Sequence, residues 1–165
     1  MAWQALLLSL SLAASARAER PVVIVTMNQM AVASDAEASS IRTPGVATCI
    51  AVFLYDAQRR IGALAHVGPN DEPRIFTQRL INAALAAGAG RLDAQLIGGW
   101  NTSPIESLAG FQSTSPSILA GIKTALAARK IPIRREETLT IPFQNDRKAI
   151  RNLSLDLDSG IVSDY

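Results

Sequence analysis

One cysteine, Cys49, and one histidine, His66, stand out in this chain as a pair able to carry nucleophilic chemistry. A thiol attacks only once its proton has been taken, and an imidazole titrates where it can take that proton at neutral pH. Both lie in apolar stretches, Cys49 in residues 47–55 (ATCIAVFLY) and His66 in residues 61–67 (IGALAHV), with Asp56-Ala57-Gln58-Arg59-Arg60 between them. Two such runs joined by a short polar segment predict an antiparallel hairpin. A turn centred near Arg59 then sets Cys49 opposite a position within about two residues of His66, where cross-strand and diagonal neighbours lie about 5 to 8 Å apart. Taken singly, a Cys in an apolar strand is a small buried hydrophobe and a His there is a core residue with one hydrogen-bond partner. Taken together, the two form the minimum apparatus for thiolate catalysis. A single Cys also excludes a disulfide within the chain, and with a single His it excludes a four-ligand Cys/His zinc site.

The strands carrying this pair need partners and cover. A chain of 165 residues that is 48% hydrophobic and 18% charged is too apolar for a disordered segment, and its length fits one domain. Its formal charge of +2 gives no field that would favour nucleic acid. Residues 21–27 (PVVIVTM) read as a buried strand that residues 30–33 continue or pair with, 34–40 as a loop, and 41–45 as a tight turn at Pro44-Gly45. Residues 74–87 take helical spacing through Phe76, Leu80, Ile81, Ala84 and Leu85, and Gly88 and Gly90 stop them. A strand at 91–97 ends on Gly98-Gly99, a polar loop covers 100–115, and a second helix at 117–129 shows Ile118, Leu119, Ile122, Ala125 and Leu126 on one side. Strands at 131–135, 138–143, 148–157 and 161–163 follow, the last two as a hairpin around Asp158-Ser159-Gly160. The sum is an α+β fold with mixed β-sheet layers flanked by helices. Trp100 and Asn101 follow a central strand, so they are candidate walls of a substrate pocket. Asp56, Asp71, Glu72 and Asp93 fall in turns or at strand edges and read as solvated structural residues.

Residues 5–14 (ALLLSLSLAA) followed by Ala16-Arg17-Ala18 have the form of a cleaved secretory signal, although no Lys or Arg precedes the apolar run. The run is too short to span a bilayer. On this reading residues 1–18 are removed and 19–165 form a single exported domain, periplasmic or secreted, with no stable membrane anchor. The alternative is a cytoplasmic protein translated from Met27 or Met30.

The segment Thr43-Pro-Gly-Val-Ala-Thr-Cys49-Ile-Ala-Val-Phe-Leu-Tyr-Asp56 resembles the T-x-G-x-G-S-C-V-A-V-x-L-x-D stretch of the chemoreceptor glutamine deamidases (CheD). Ile61-Gly-Ala-Leu-Ala-His66-Val67 resembles that family's I-G-G-M-A-H-V strand, and Arg91-Leu-Asp-Ala-Gln-Leu-Ile-Gly-Gly99 its R-L-E-A-K-I-F-G-G. The resemblance implies an α/β/β/α cysteine-hydrolase fold and a protein-glutamine deamidase with Cys49 as nucleophile, His66 as base and Thr43 as the third catalytic residue. It implies no metal and no organic cofactor, and a protein substrate with an accessible glutamine, a chemoreceptor in that family. Ala47-Thr48 stands where the family has Gly-Ser, so Thr48 keeps a hydroxyl beside the nucleophile and is a candidate pocket residue, with backbone amides of the Thr48-Cys49 turn available to an oxyanion. Gly68-Pro69-Asn70 replaces the family's Met-Leu-Pro loop, and its late G-G-N-x-G-R motif is absent, which bears on substrate recognition. A non-catalytic binding module on the same fold, a cytoplasmic chemoreceptor deamidase, and a transglutaminase or small-molecule amidase remain the alternatives.

Overall fold

The computed structural model describes residues 19–100, 115–139 and 150–165. The proposed signal segment, Asn101 and residues 140–143 of the strand expected over 138–143 lie outside the described residues. The strands are β1 (Val22–Ile24), β2 (Met30–Ser34), β3 (Ser40–Val46), β4 (Ile50–Asp56), β5 (Ile61–Val67), β6 (Asp93–Gly98), β7 (Ile133–Thr138), β8 (Arg151–Asp156) and β9 (Val162–Asp164). The helices are α1 (Pro73–Ala86) and α2 (Ser115–Ala128). Two mixed sheets result, one of five strands in the order β2-β5-β4-β6-β7 and one of four in the order β1-β3-β8-β9.

The apolarity of β4 and β5 on both faces determines the layering, because each face must be covered. Ile50, Val52, Leu54, Ala63, Ala65 and Val67 turn toward the helices and meet Leu80, Ile81 and Ala84 of α1 and Ile118, Ile122 and Leu126 of α2. On the opposite face, Ala51, Phe53 and Leu64 pack against Ile41 of β3 and Leu153 and Leu155 of β8. The described residues therefore stack as helix pair, five-stranded sheet and four-stranded sheet, an α+β architecture with mixed sheets as the pattern predicts. Both described helices belong to the first of these cores. Among the described residues none is long and apolar enough to cross a membrane.

Several local expectations are corrected. Residues 40–46 form no loop and tight turn but β3, paired in parallel with β1 and antiparallel with β8. Pro44 and Gly45 lie where the β3–β8 register shifts between Thr43 and Val46, so the Pro-Gly signal marks a bulge, with Gly45 at φ 73°. β2 neither continues nor pairs with β1; it joins the other sheet beside β5. The strand expected at 131–135 is β7, which runs on to Thr138 and lies parallel to β6. Each helix starts one or two residues earlier than its apolar spacing indicates, α1 on Pro73, where a missing N–H costs nothing, and α2 on Ser115.

Asp56 is structural but not solvated. Its carboxylate is buried and accepts the N–H groups of Gln58 (2.9 Å), Arg59 (3.1 Å), Gly90 (2.6 Å) and Arg91 (3.0 Å), tying the β4–β5 turn to the segment entering β6. Burial alone raises its pKa, but the four amides outweigh it and bring the group from 3.8 down to about 2. Because the folded-state pKa is depressed, the stabilisation is present above the ordinary value and is lost as pH falls through about 2. Asp56→Ala is expected to lower unfolding free energy by about 2 to 4 kcal/mol at neutral pH, measured by urea denaturation. The gap from the unaltered protein should close as pH drops from about 4 toward about 2.

Candidate active site

Two strands, β3 and β5, and the turn that leads into β4 bring Thr43, His66 and Cys49 to one place. His66 lies across from Ala51 of β4, and its side chain shares the face of Leu64, between the sheets. Cys49 stands one residue before β4, with the parity of Ala51 and Phe53, so it faces the same layer diagonally to His66. Thr43 of β3 has the parity of Ile41 and points into this layer from the other sheet. Cys49 Sγ is 2.7 Å from His66 Nε2, and Thr43 Oγ1 is 2.7 Å from His66 Nδ1. All three side chains are buried, Thr43 completely. The expected proximity of Cys49 and His66 is met by this hairpin register.

Neighbouring segments hold the imidazole through its own backbone: His66 N–H donates to Gln29 C=O, and His66 C=O accepts from Asn28 N–H. With both ring nitrogens partnered, the ring has one orientation. If Nε2 is to accept the thiol proton, Nδ1 carries the hydrogen and Thr43 Oγ1 accepts it. Burial pushes the Cys49 thiol above its ordinary 9.0, against the amides of Ala47 and Cys49, which draw it down. Burial likewise lowers His66 below 6.5, against the charge of Asp71, which raises it. Both shifts favour a resting pair of neutral thiol and neutral imidazole.

The turn that carries Cys49 is held by its carbonyls. Ala47 C=O accepts Gly99 N–H (2.8 Å) and Trp100 N–H (3.1 Å), and Cys49 C=O accepts Gly99 N–H (2.8 Å). Thr48 C=O accepts the Ser115 hydroxyl at 2.8 Å. Gly98 makes this possible: at φ 122° it runs so close to the turn that a Cβ there would sit 2.3 Å from Cys49 O. Read from the sequence, Gly98-Gly99 merely ends a strand; a glycine pair leaving a central strand is also the signal for close backbone approach. Ser115 has no such sequence signal beyond its place before Pro116. Trp100, expected at the pocket wall, buries its side chain in the core between the sheets and reaches the turn through its main chain. Thr48 is half-buried beside Cys49. Among the described residues no group of three or more His, Cys, Asp or Glu side chains could hold a metal ion.

Fold and site together define an α+β protein with a hydrogen-bonded Cys–His–Thr series between two sheets. No protein-family model matches the chain. It is 29% identical to the chemoreceptor glutamine deamidase CheD of Bacillus velezensis, with 74% of this chain and 81% of that protein covered. Among solved structures it resembles the hypothetical protein YfiH of Bacillus licheniformis at a TM-score of 0.48 and 11% identity, with 73% of this chain covered. The match spans 63% of the length of that YfiH chain.

Proposed function

We propose that the protein is a protein-glutamine deamidase that hydrolyses a side-chain carboxamide to a carboxylate and ammonia. The observation that carries this reading is the series Cys49 Sγ, His66 Nε2, His66 Nδ1 and Thr43 Oγ1, joined by two contacts of 2.7 Å. In the proposed reaction, His66 Nε2 takes the thiol proton as Cys49 Sγ bonds to the amide carbon. The imidazolium then protonates the departing nitrogen, the C–N bond breaks, and ammonia leaves a thioester on Cys49. Water, losing a proton to His66, attacks the thioester, and the C–S bond breaks to give glutamate and the restored thiol. Thr43 keeps the ring in the tautomer that this cycle needs.

The resemblance to a chemoreceptor glutamine deamidase supports a protein substrate with an exposed glutamine. Export supplies a second element of the proposal: Ala16-Arg17-Ala18 ends immediately before Glu19, and Arg20 is anchored to Asp158 and to Asp35 C=O. A purified protein beginning near Glu19 supports an exported substrate; one that keeps residues upstream of it, or begins at Met27 or Met30, supports the cytoplasmic chemoreceptor reading. The activity itself is tested by ammonia release from a panel of glutamine-bearing proteins, alongside free glutamine. Release from proteins but not from free glutamine is the expected result. No release from any of them would leave a binding module on this fold as the better reading.

Two further results are expected of this site. Thr43→Val keeps the shape and removes the hydroxyl that His66 Nδ1 uses, so kcat should fall by about 10²-fold through loss of ring orientation, whereas Thr43→Ser should retain most activity. The pH dependence of kcat/KM should be a broad bell. Protonation of His66 removes the base, and its lowered pKa places the acid limb below 6.5. Ionisation of the pair at high pH removes the acid that ammonia needs, and the raised thiol pKa places the alkaline limb above 9.0. An acid limb centred above 6.5 would contradict the neutral resting pair.

A further inference from the structure

We propose that Ser115 is a positioning residue of this site, whose hydroxyl fixes the Thr48–Cys49 peptide so that the Cys49 amide faces the thiol and the oxygen that gains negative charge during amide hydrolysis. The inference rests on the proposed reaction, but its physical core does not need it. A trans peptide is planar, with C=O and N–H pointing in opposite directions, so whatever holds the Thr48 carbonyl also aims the Cys49 N–H. Ser115, fully buried at the start of α2, donates to that carbonyl at 2.8 Å. The Cys49 amide is the thiol's own main-chain N–H, and it draws the thiol's pKa down against the burial that raises it.

The neighbouring peptide obeys the same rule. Gly99 and Trp100 hold the Ala47 carbonyl, which aims the Thr48 N–H away from them. Two consecutive amides are thus oriented by partners from two other parts of the chain, the end of β6 and the start of α2. Main-chain donors fixed before the substrate arrives are the arrangement that stabilises a developing oxyanion, because nothing must reorganise during the reaction. Ser115 does this through its side chain, so it can be changed without altering the backbone donors.

The test compares Ser115→Ala with Ala84→Gly, a change in α1 that loosens the helix layer away from the site. Iodoacetamide reports on the sole cysteine without requiring any deamidase substrate. Ser115→Ala is expected to slow alkylation of Cys49 at pH 8 about tenfold, the change in thiolate fraction for one pKa unit. A purely structural role moves this readout the other way, since loosening exposes a buried thiol and speeds its alkylation. In the deamidation assay kcat should fall about tenfold or more with KM within about twofold, the pattern of a group that serves the transition state. Alkylation unchanged or faster in Ser115→Ala, or slowed equally in Ala84→Gly, would overturn the proposal. If the unaltered protein releases no ammonia, it is the deamidase reading that fails, and alkylation alone decides the role of Ser115.

Discussion

His66→Asn is expected to lower the rate of ammonia release by about 10³-fold, within the range that a general acid–base group contributes. The imidazole has two tasks in the proposed cycle, taking the proton from Cys49 and delivering one to the leaving nitrogen, and asparagine can do neither. Among the described residues no second titratable side chain shares a hydrogen bond with Cys49 Sγ; a further, longer bond runs to the Gly45 carbonyl at 3.9 Å. The burial that holds the thiol above 9.0 makes the loss more severe, because without the imidazole very little thiolate forms at neutral pH. The fold should survive, since both main-chain bonds of residue 66, to Gln29 and Asn28, are independent of the ring. Steady-state ammonia release together with thermal unfolding separates the two effects, and a folded variant with near-normal turnover would contradict the assigned role.

The second large effect falls on stability and site together. Gly98→Ala places a Cβ 2.3 Å from Cys49 O and 2.8 Å from Val46 Cγ1, on a backbone at φ 122° that side-chain-bearing residues rarely adopt. The first contact is with backbone and cannot be relieved by a rotamer change. Unfolding free energy should fall by about 2 to 4 kcal/mol or more, the range for strain at such a position combined with overpacking. To relieve the clash, the Cys49 turn must move away from Gly99, which breaks the bonds that orient its amides. Turnover should therefore drop in the molecules that remain folded. Gly90→Ala is the useful contrast, because the nearest atoms a Cβ there meets all belong to the flexible end of Arg59. It should cost little stability and leave turnover unchanged.

What the sequence made legible follows the strength of its local signals. The β4–β5 hairpin was readable because both runs are continuously apolar and the residues between them are polar, and its register alone brings Cys49 and His66 within reach. The two helices were readable from their apolar spacing. β3 was not, because Ser, Arg, Thr, Pro and Gly within it imitate a loop, and its pairing with β8 lies more than a hundred residues along the chain. Within the sequence, family resemblance alone ties Thr43 to the Cys–His pair. Its approach to His66 from the opposite sheet is a long-range consequence of that pairing. The hold on the Cys49 turn by Gly99 and Ser115 was equally hidden, since it depends on where two distant segments end. Asp56 reads as solvated in the sequence because turn composition does not reveal that four amides converge on one carboxylate.

The proposed chemistry makes Cys49 the nucleophile in hydrolysis of a glutamine side chain. It is tested most directly by ammonia release from a responsive protein substrate with the unaltered enzyme and with Cys49→Ser, both shown to be folded. Release by the first and none above background by the second is expected, because a serine hydroxyl in this buried setting is a far weaker acid than the thiol that His66 must deprotonate. Undiminished release by Cys49→Ser would show that the chemistry is done elsewhere and that Cys49 is not the nucleophile.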